Sequence, residues 1–284
     1  MLLIRTFAAI MLLLLTGACK KQPVTDDRAG GGKIIILGHR GMGVTYSKPA
    51  NSYESVADAI GIGADGCELD VQMTRDSVLV LFHDGTLNTN TGCSGKISEL
   101  TWDEIKNCCY KFPNNRISII SANHLFSRLP NLRHYYFSFD CKPDYTMADY
   151  ELYQARFVRA LKRLCDEFNM HDNVMIEAVE PFLLEAKVQG LGNKLLLAAD
   201  LNEQNVQTAY TNGFFGIVSD YRNVSADIGQ VHEKGLFVIL FAPGNFEQNR
   251  KVAAMKPDII QTDDPVSILK YFGRFNYEYL SPYN

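Results

Sequence analysis

From residue 33 onward, short runs of β-branched, aromatic and other apolar residues alternate with longer stretches whose apolar positions carry helical spacing. The runs at 34–38, 66–71, 78–83, 136–141, 174–178, 195–199, 216–219, 237–241 and 259–262 read as strands. From the fifth on they recur roughly every 20 residues, and intervening segments such as 181–189 and 204–212 have the length of crossover helices. Near-continuous apolar strands separated by helices predict a parallel sheet covered on both faces. Nine runs are one more than an eight-stranded barrel needs. Only a few residues separate Val71 from Val78, too few for a crossover between parallel strands, so the third run is expected to return as a hairpin turning at Thr74-Arg75-Asp76-Ser77. The remaining eight predict a (β/α)8 TIM barrel, with an open doubly wound sheet as the alternative.

The stretch 84–133 is rich in Asn, Ser, Thr and Gly and is too long for a plain connection. It reads as an insertion over the barrel mouth with a short helix near 102–108, started by a capping box of Thr101 and Glu104. At the other end of the chain, Arg5 precedes an apolar run at 7–15 that is too short to span a bilayer. Leu15-Thr16-Gly17-Ala18-Cys19 then resembles a bacterial lipoprotein cleavage site. The expectation is a signal segment at 1–19 with Cys19 lipidated, a polar tether at 20–32 ending in Gly30-Gly31-Gly32, and a single domain from 33 to 284. This implies an exported protein held at a membrane through Cys19, in a compartment that permits disulfides. Cys93 with Cys108 or Cys109 is the local pair suited to one, whereas Cys67 and Cys141 fall inside apolar strands as buried thiols. No cysteine pairs have zinc-site spacing.

A net charge of -4 gives no basic footprint for nucleic acid. Candidate chemistry gathers instead at strand ends. His39 and Arg40 follow the first strand, offering a proton carrier and a fork for two phosphate oxygens. In the second strand Glu68 and Asp70 alternate with Cys67, Leu69 and Val71, so both carboxylates share one face. Two acids in an apolar strand repel unless a counter-charge is present, and a hard divalent cation such as Mg2+ or Ca2+, or a basic partner such as Arg40 or Lys142, supplies one. With Arg75 and Asp76 at the hairpin centre, His83 falls opposite Glu68. Asp140 and Lys142 share a face of the fourth strand, placing a third acid and an ammonium beside that site. Glu177, at the end of the fifth strand, is a further candidate to reach the mouth.

Gly38-His39-Arg40-Gly41, Ala50-Asn51-Ser52, the run GADGCELDVQMTRDSVLVLFHDGTL at 63–87, Phe139-Asp140-Cys141-Lys142 and the run PDIIQTDDP at 257–265 together resemble the glycerophosphodiester phosphodiesterase family. The resemblance spans 34 to about 265 and is tightest over 34–105. It implies a TIM barrel related to phosphoinositide-specific phospholipases, and a Mg2+ or Ca2+ cofactor. It further implies His39 and His83 as acid/base residues, Arg40 and Lys142 as substrate contacts, and Glu68, Asp70 and Asp140 as metal ligands. Three departures stand out. Asp140 replaces the usual Glu, Pro49-Ala50-Asn51-Ser52 replaces Pro-Glu-Asn-Thr, and Phe241-Ala242-Pro243-Gly244-Asn245 replaces an aromatic-threonine-x-asparagine signature. The implied activity is hydrolysis of a glycerophosphodiester to an alcohol and glycerol 3-phosphate, in lipid and glycerol metabolism. Two alternatives are a phosphodiesterase for a lysophospholipid, sphingomyelin or phosphoinositide, and a catalytically silent surface lipoprotein that binds a phospho-ligand.

Overall fold

The computed structural model describes residues 31–112 and 116–283; the expected leader with Cys19 and most of the tether lie outside the described residues. Eight parallel strands close on themselves: β1 (Ile35–His39), β2 (Gly66–Met73), β5 (Tyr136–Cys141), β6 (Val174–Ala178), β7 (Lys194–Ala198), β8 (Gly216–Asp220), β9 (Phe237–Phe241) and β10 (Ile259–Thr262). The seam is made by β1, which pairs with β10 on one side and with the first half of β2 on the other. Helices fill the connections, among them α1 (Tyr53–Gly61), α4 (Tyr150–Phe168) and α6 (Glu203–Thr211). Side-chain alternation separates two cores. Cys67, Leu69 and Val71 point outward against the helices, while Leu37, Met175, Leu196, Val218, Ile239 and Ile259 fill the barrel.

The third run is the expected return strand, β3 (Leu79–Leu81), antiparallel to the last three residues of β2. Its register differs from the sequence expectation by one residue, because Ser77 adopts a left-handed conformation (φ +66°) and makes the turn a three-residue loop. Val71 therefore faces Leu81, and the Phe82 amide donates to the Asp70 carbonyl at 3.0 Å. His83 does not lie opposite Glu68.

The stretch 84–133 is more ordered than its composition implied. The α2 helix (Trp102–Ile105) has the expected capping box, and a second edge strand, β4 (Ile120–Ser121), pairs with β3. A small separate core holds Val80, Phe82, Leu87, Ile97, Ile105 and Ile119, and a Cys93–Cys108 disulfide staples it. Of the two bridges left open by the sequence, this is the one formed; Cys109, Cys67 and Cys141 are free thiols. From Ala122 the chain rejoins the main core through α3 (Ala122–Arg128).

Candidate active site

All the chemistry-bearing residues sit at the carboxyl ends of the strands. Parallel pairing sets Asp70 level with Asp140, and Asp140 level with Glu177, so neighbouring strands deliver acids at one height. One oxygen each from Glu68, Asp70 and Asp140 lies within 4.8 Å of the others. Glu68 and Asp70 are buried; Glu68 Oε1 has no hydrogen-bond partner, and Asp70 Oδ1 has only the Lys142 ammonium beside it. Orphaned buried carboxylate oxygens are costly, and an all-oxygen group of three acids fits a hard divalent cation. These residues suit Mg2+ or Ca2+, and nothing in the donor set selects between the two.

Basic groups surround the cluster. Lys142 Nζ lies 2.6 Å from Asp140 Oδ2 and 3.1 Å from Asp70 Oδ1, and Arg40 Nε lies 3.0 Å from Asp70 Oδ2. The Arg40 Nε contact is Coulombic, because the group is not aligned to donate a hydrogen bond. These charges divide the acids. Burial pushes Glu68 well up, reinforced by Asp70, Glu177 and Asp140. Burial also pushes Asp70 up, but Lys142, Arg40, His83 and Asn51 outweigh it and hold Asp70 below the usual carboxylate range. Burial works against the Lys142 ammonium, yet Asp140 and Asp70 together raise it.

His39 is oriented from behind. Its Nδ1 lies 2.8 Å from Asp263 Oδ1, while Nε2 lies 3.6 Å from Glu68 Oε2. An ionised carboxylate only accepts, so Nδ1 carries the proton and a neutral ring keeps Nε2 available. Burial raises Asp263, but the hydrogen bond to His39, the charge of that ring when protonated, the Val44 amide and Arg40 outweigh it and lower Asp263. Arg40 follows in a left-handed conformation (φ +56°), which turns the chain so that its amide donates to Glu68 Oε2 at 3.0 Å. Gly41 (φ +96°) completes the turn, where a Cβ would lie 2.5 Å from Ser55 Oγ. His83 reaches the mouth because β3 ends at Leu81. It is largely exposed, with Nδ1 at 2.9 Å from Asp84 Oδ1.

The structure thus brings His39, Arg40, Glu68, Asp70, His83, Asp140 and Lys142 together at the mouth, with Glu177, the further candidate, beside them, and it adds Asn51 and Asp263. Asn51 grips Asp70 twice: its Nδ2 donates to Oδ2 at 2.8 Å, and its Oδ1 accepts from the Asp70 amide at 3.1 Å. Asp263 had its signal in the Thr262-Asp263-Asp264-Pro265 run, but its partner lies 224 residues away. Glu177 is buried on the cavity floor, where Oε1 accepts from Ser138 and Gln261. Burial and the neighbouring Asp140 push it up to about 8.

Two cavities meet at Arg40 and His83. The larger, about 440 Å3, crosses the mouth from Lys142 to Asp200, Asp220 and Phe241. The smaller, about 180 Å3, lies beneath the insertion against Ala50, Tyr110 and Lys111. The remaining histidines stand elsewhere: His171 pairs with Asp166 and His232 with Asp258.

Residues 39–267 match the model of the glycerophosphoryl diester phosphodiesterase family. Among curated proteins, a glycerophosphodiester phosphodiesterase of Caldanaerobacter subterraneus is 39% identical over 74 residues, covering 26% of this chain and 30% of that one. One from Bacillus altitudinis is 41% identical over 71 residues, covering 25% and 28%. The chain therefore spans about three tenths of the length of these relatives. Among solved structures, a glycerophosphodiester phosphodiesterase from Parabacteroides distasonis superposes with a TM-score of 0.73 at 18% identity, covering 88% of this chain and 98% of that one. An Oleispira antarctica phosphodiesterase, solved with the product sn-glycerol-3-phosphate, gives 0.74 at 17% identity, covering 84% and 96%. Identities this low establish the shared barrel alone.

Proposed function

We propose that this chain, which belongs to the glycerophosphoryl diester phosphodiesterase family, hydrolyses glycerophosphodiesters to an alcohol and glycerol 3-phosphate. The observation that carries this reading is the acidic cluster itself. Glu68, Asp70 and Asp140 converge, Glu68 Oε1 is buried without a hydrogen-bond partner, and Arg40, Lys142 and His39 stand around them.

Glu68, Asp70 and Asp140 would hold Mg2+ or Ca2+, which when bound offsets negative charge on the phosphoryl oxygens. Arg40 and Lys142 add fixed positive charge on either side of Asp70, positioned before the substrate arrives. His39, with Nδ1 held by Asp263, presents Nε2 for proton transfer, and His83, with its Nδ1 on Asp84, presents the same atom to the same cavity. One imidazole withdraws the proton of the attacking oxygen, and the other returns a proton to the departing alkoxide. The attacking oxygen is that of water, or of a neighbouring glycerol hydroxyl that closes a cyclic phosphate, which water then opens to glycerol 3-phosphate. Asn51 keeps Asp70 fixed while charge changes around it.

The same reading places the enzyme outside the cytoplasm, tethered to a membrane through a lipid at Cys19 and acting on lipid-derived diesters. The Cys93–Cys108 disulfide supports export. The decisive experiment is turnover of glycerophosphocholine by the purified full chain with Mg2+ or Ca2+. His39→Ala should lose at least about 100-fold in kcat, and chelation should abolish activity. Full activity in either case refutes the mechanism.

A further inference from the structure

The two cavities that meet at Arg40 and His83 differ in charge. The smaller one is bordered by Arg40 and Lys111, and its single acid, Asp84, is already engaged by His83 and Asn90. Ala50 contributes no carboxylate there. The larger one is polarised. Its two Lys/Arg side chains, Arg40 and Lys142, both stand on the wall that carries the acidic cluster. Its far wall, at the ends of β7 and β8, carries Asp200 and Asp220 and no cation.

Each far-wall group has a distinct state. Asp200 is exposed and accepts a hydrogen bond from Asn223 at 2.9 Å, with no cationic partner among the described residues. Asp220 is partly neutralised by Arg222, which reaches it from outside the cavity. Glu177, 3% exposed, lies between the two walls. No hydrogen bond among the described residues reaches its Oε2. Ala198, Ala199 and Ser219 leave the space between open, and Phe241 supplies an aromatic face. Positive groups at one end of a cavity and carboxylates with an aromatic face at the other match a zwitterion, with its phosphate at the first and its ammonium at the second.

We propose that the far wall formed by Asp200, Asp220 and Phe241 is a subsite for an ammonium-bearing alcohol, which makes zwitterionic glycerophosphodiesters the preferred substrates. This rests on the hydrolytic reading above and adds selectivity to it. A neutral polyol substituent leaves Asp200 without a cationic partner, and an anionic one meets repulsion.

The test compares kcat/KM of the full chain with Mg2+ for glycerophosphoethanolamine, glycerophosphocholine and glycerophosphoglycerol. The wild type should favour the two cationic substrates by about tenfold, and Asp200→Asn should shrink that ratio about three- to fivefold, the worth of a partly exposed charge pair. Asp220→Asn should shrink it less, because Arg222 already offsets that charge. Preference for ethanolamine over choline points to hydrogen bonding, and the reverse to the Phe241 face; both support the subsite. Equal or reversed selectivity in an active wild type overturns the proposal, as does a ratio that neither variant moves. If none of the three substrates is hydrolysed, the hydrolytic reading fails and calorimetry decides the subsite separately. Phosphoethanolamine should then bind more tightly than glycerol 3-phosphate, with the gap narrowed in Asp200→Asn, and parity of the two overturns it.

Discussion

Glu177 is the group whose replacement tests the electrostatics of the barrel most directly. Its carboxyl is pushed up to about 8 from an ordinary 4.5, first by burial and then by Asp140 on the next strand. Each pH unit between those values corresponds to about 1.4 kcal/mol, so ionising Glu177 inside the metal-free fold costs on the order of 5 kcal/mol. A carboxyl raised in the folded state leaves stability intact below its unfolded value. The loss grows as pH climbs from about 4.5 and levels off beyond about 8. Urea denaturation in the presence of a chelator, from pH 5 to 8.5, should show the wild type losing a few kcal/mol across that window. Glu177→Gln keeps the shape, and its amide oxygen can still accept from Ser138 and Gln261. The variant should show a much flatter profile and exceed wild-type stability at pH 8. Part of the slope remains, because burial raises Glu68 as well, though losing Glu177 also relieves Glu68. Parallel profiles for the two proteins would refute this account.

Three further outcomes follow from the site. Asp263→Asn, which lets the His39 ring take the wrong tautomer, should lower kcat by about 100-fold or more with little change in KM; equal losses in KM would point to a binding role. Mg2+ or Ca2+ at about a hundredfold above its Kd should stabilise the protein by about 2.7 kcal/mol, measured as a rise in Tm of several degrees, and Asp70→Asn should abolish the rise. Replacing Cys93 and Cys108 by Ser opens a 15-residue span worth about 3 kcal/mol in chain entropy. Faster amide exchange should be confined to the insertion around Leu87, Ile97 and Ile105, and loss of barrel protection would contradict two separate cores.

The barrel was legible because its strands are apolar on both faces and evenly spaced, and the acidic cluster because alternation alone puts Glu68 with Asp70 and Asp140 with Lys142. The hairpin register was not. It turned on whether Ser77 would adopt a left-handed conformation, a choice with no signature in a Thr-Arg-Asp-Ser turn. His83 still arrives at the mouth because the strand stops early, a different cause from the one its spacing suggested. Asn51 and Asp263 were out of reach for another reason: their roles are contacts made across the barrel seam and the first connecting loop, which only the closed fold creates. In the insertion, polar composition concealed a stapled core of its own, because few apolar residues are needed to fill so small a volume.

The seam between β1 and β10 sets the order in which competence appears. His39 emerges early in synthesis, and the carboxylate that orients it follows 224 residues later. At ordinary translation speeds of about 5–20 residues per second, that gap lasts roughly 10–45 s. Throughout it the chain carries a histidine, an arginine and two acids near its beginning but no finished reaction centre. A chain that stops short of Asp263 therefore lacks the carboxylate that orients His39, and the cluster is complete only where the last strand docks.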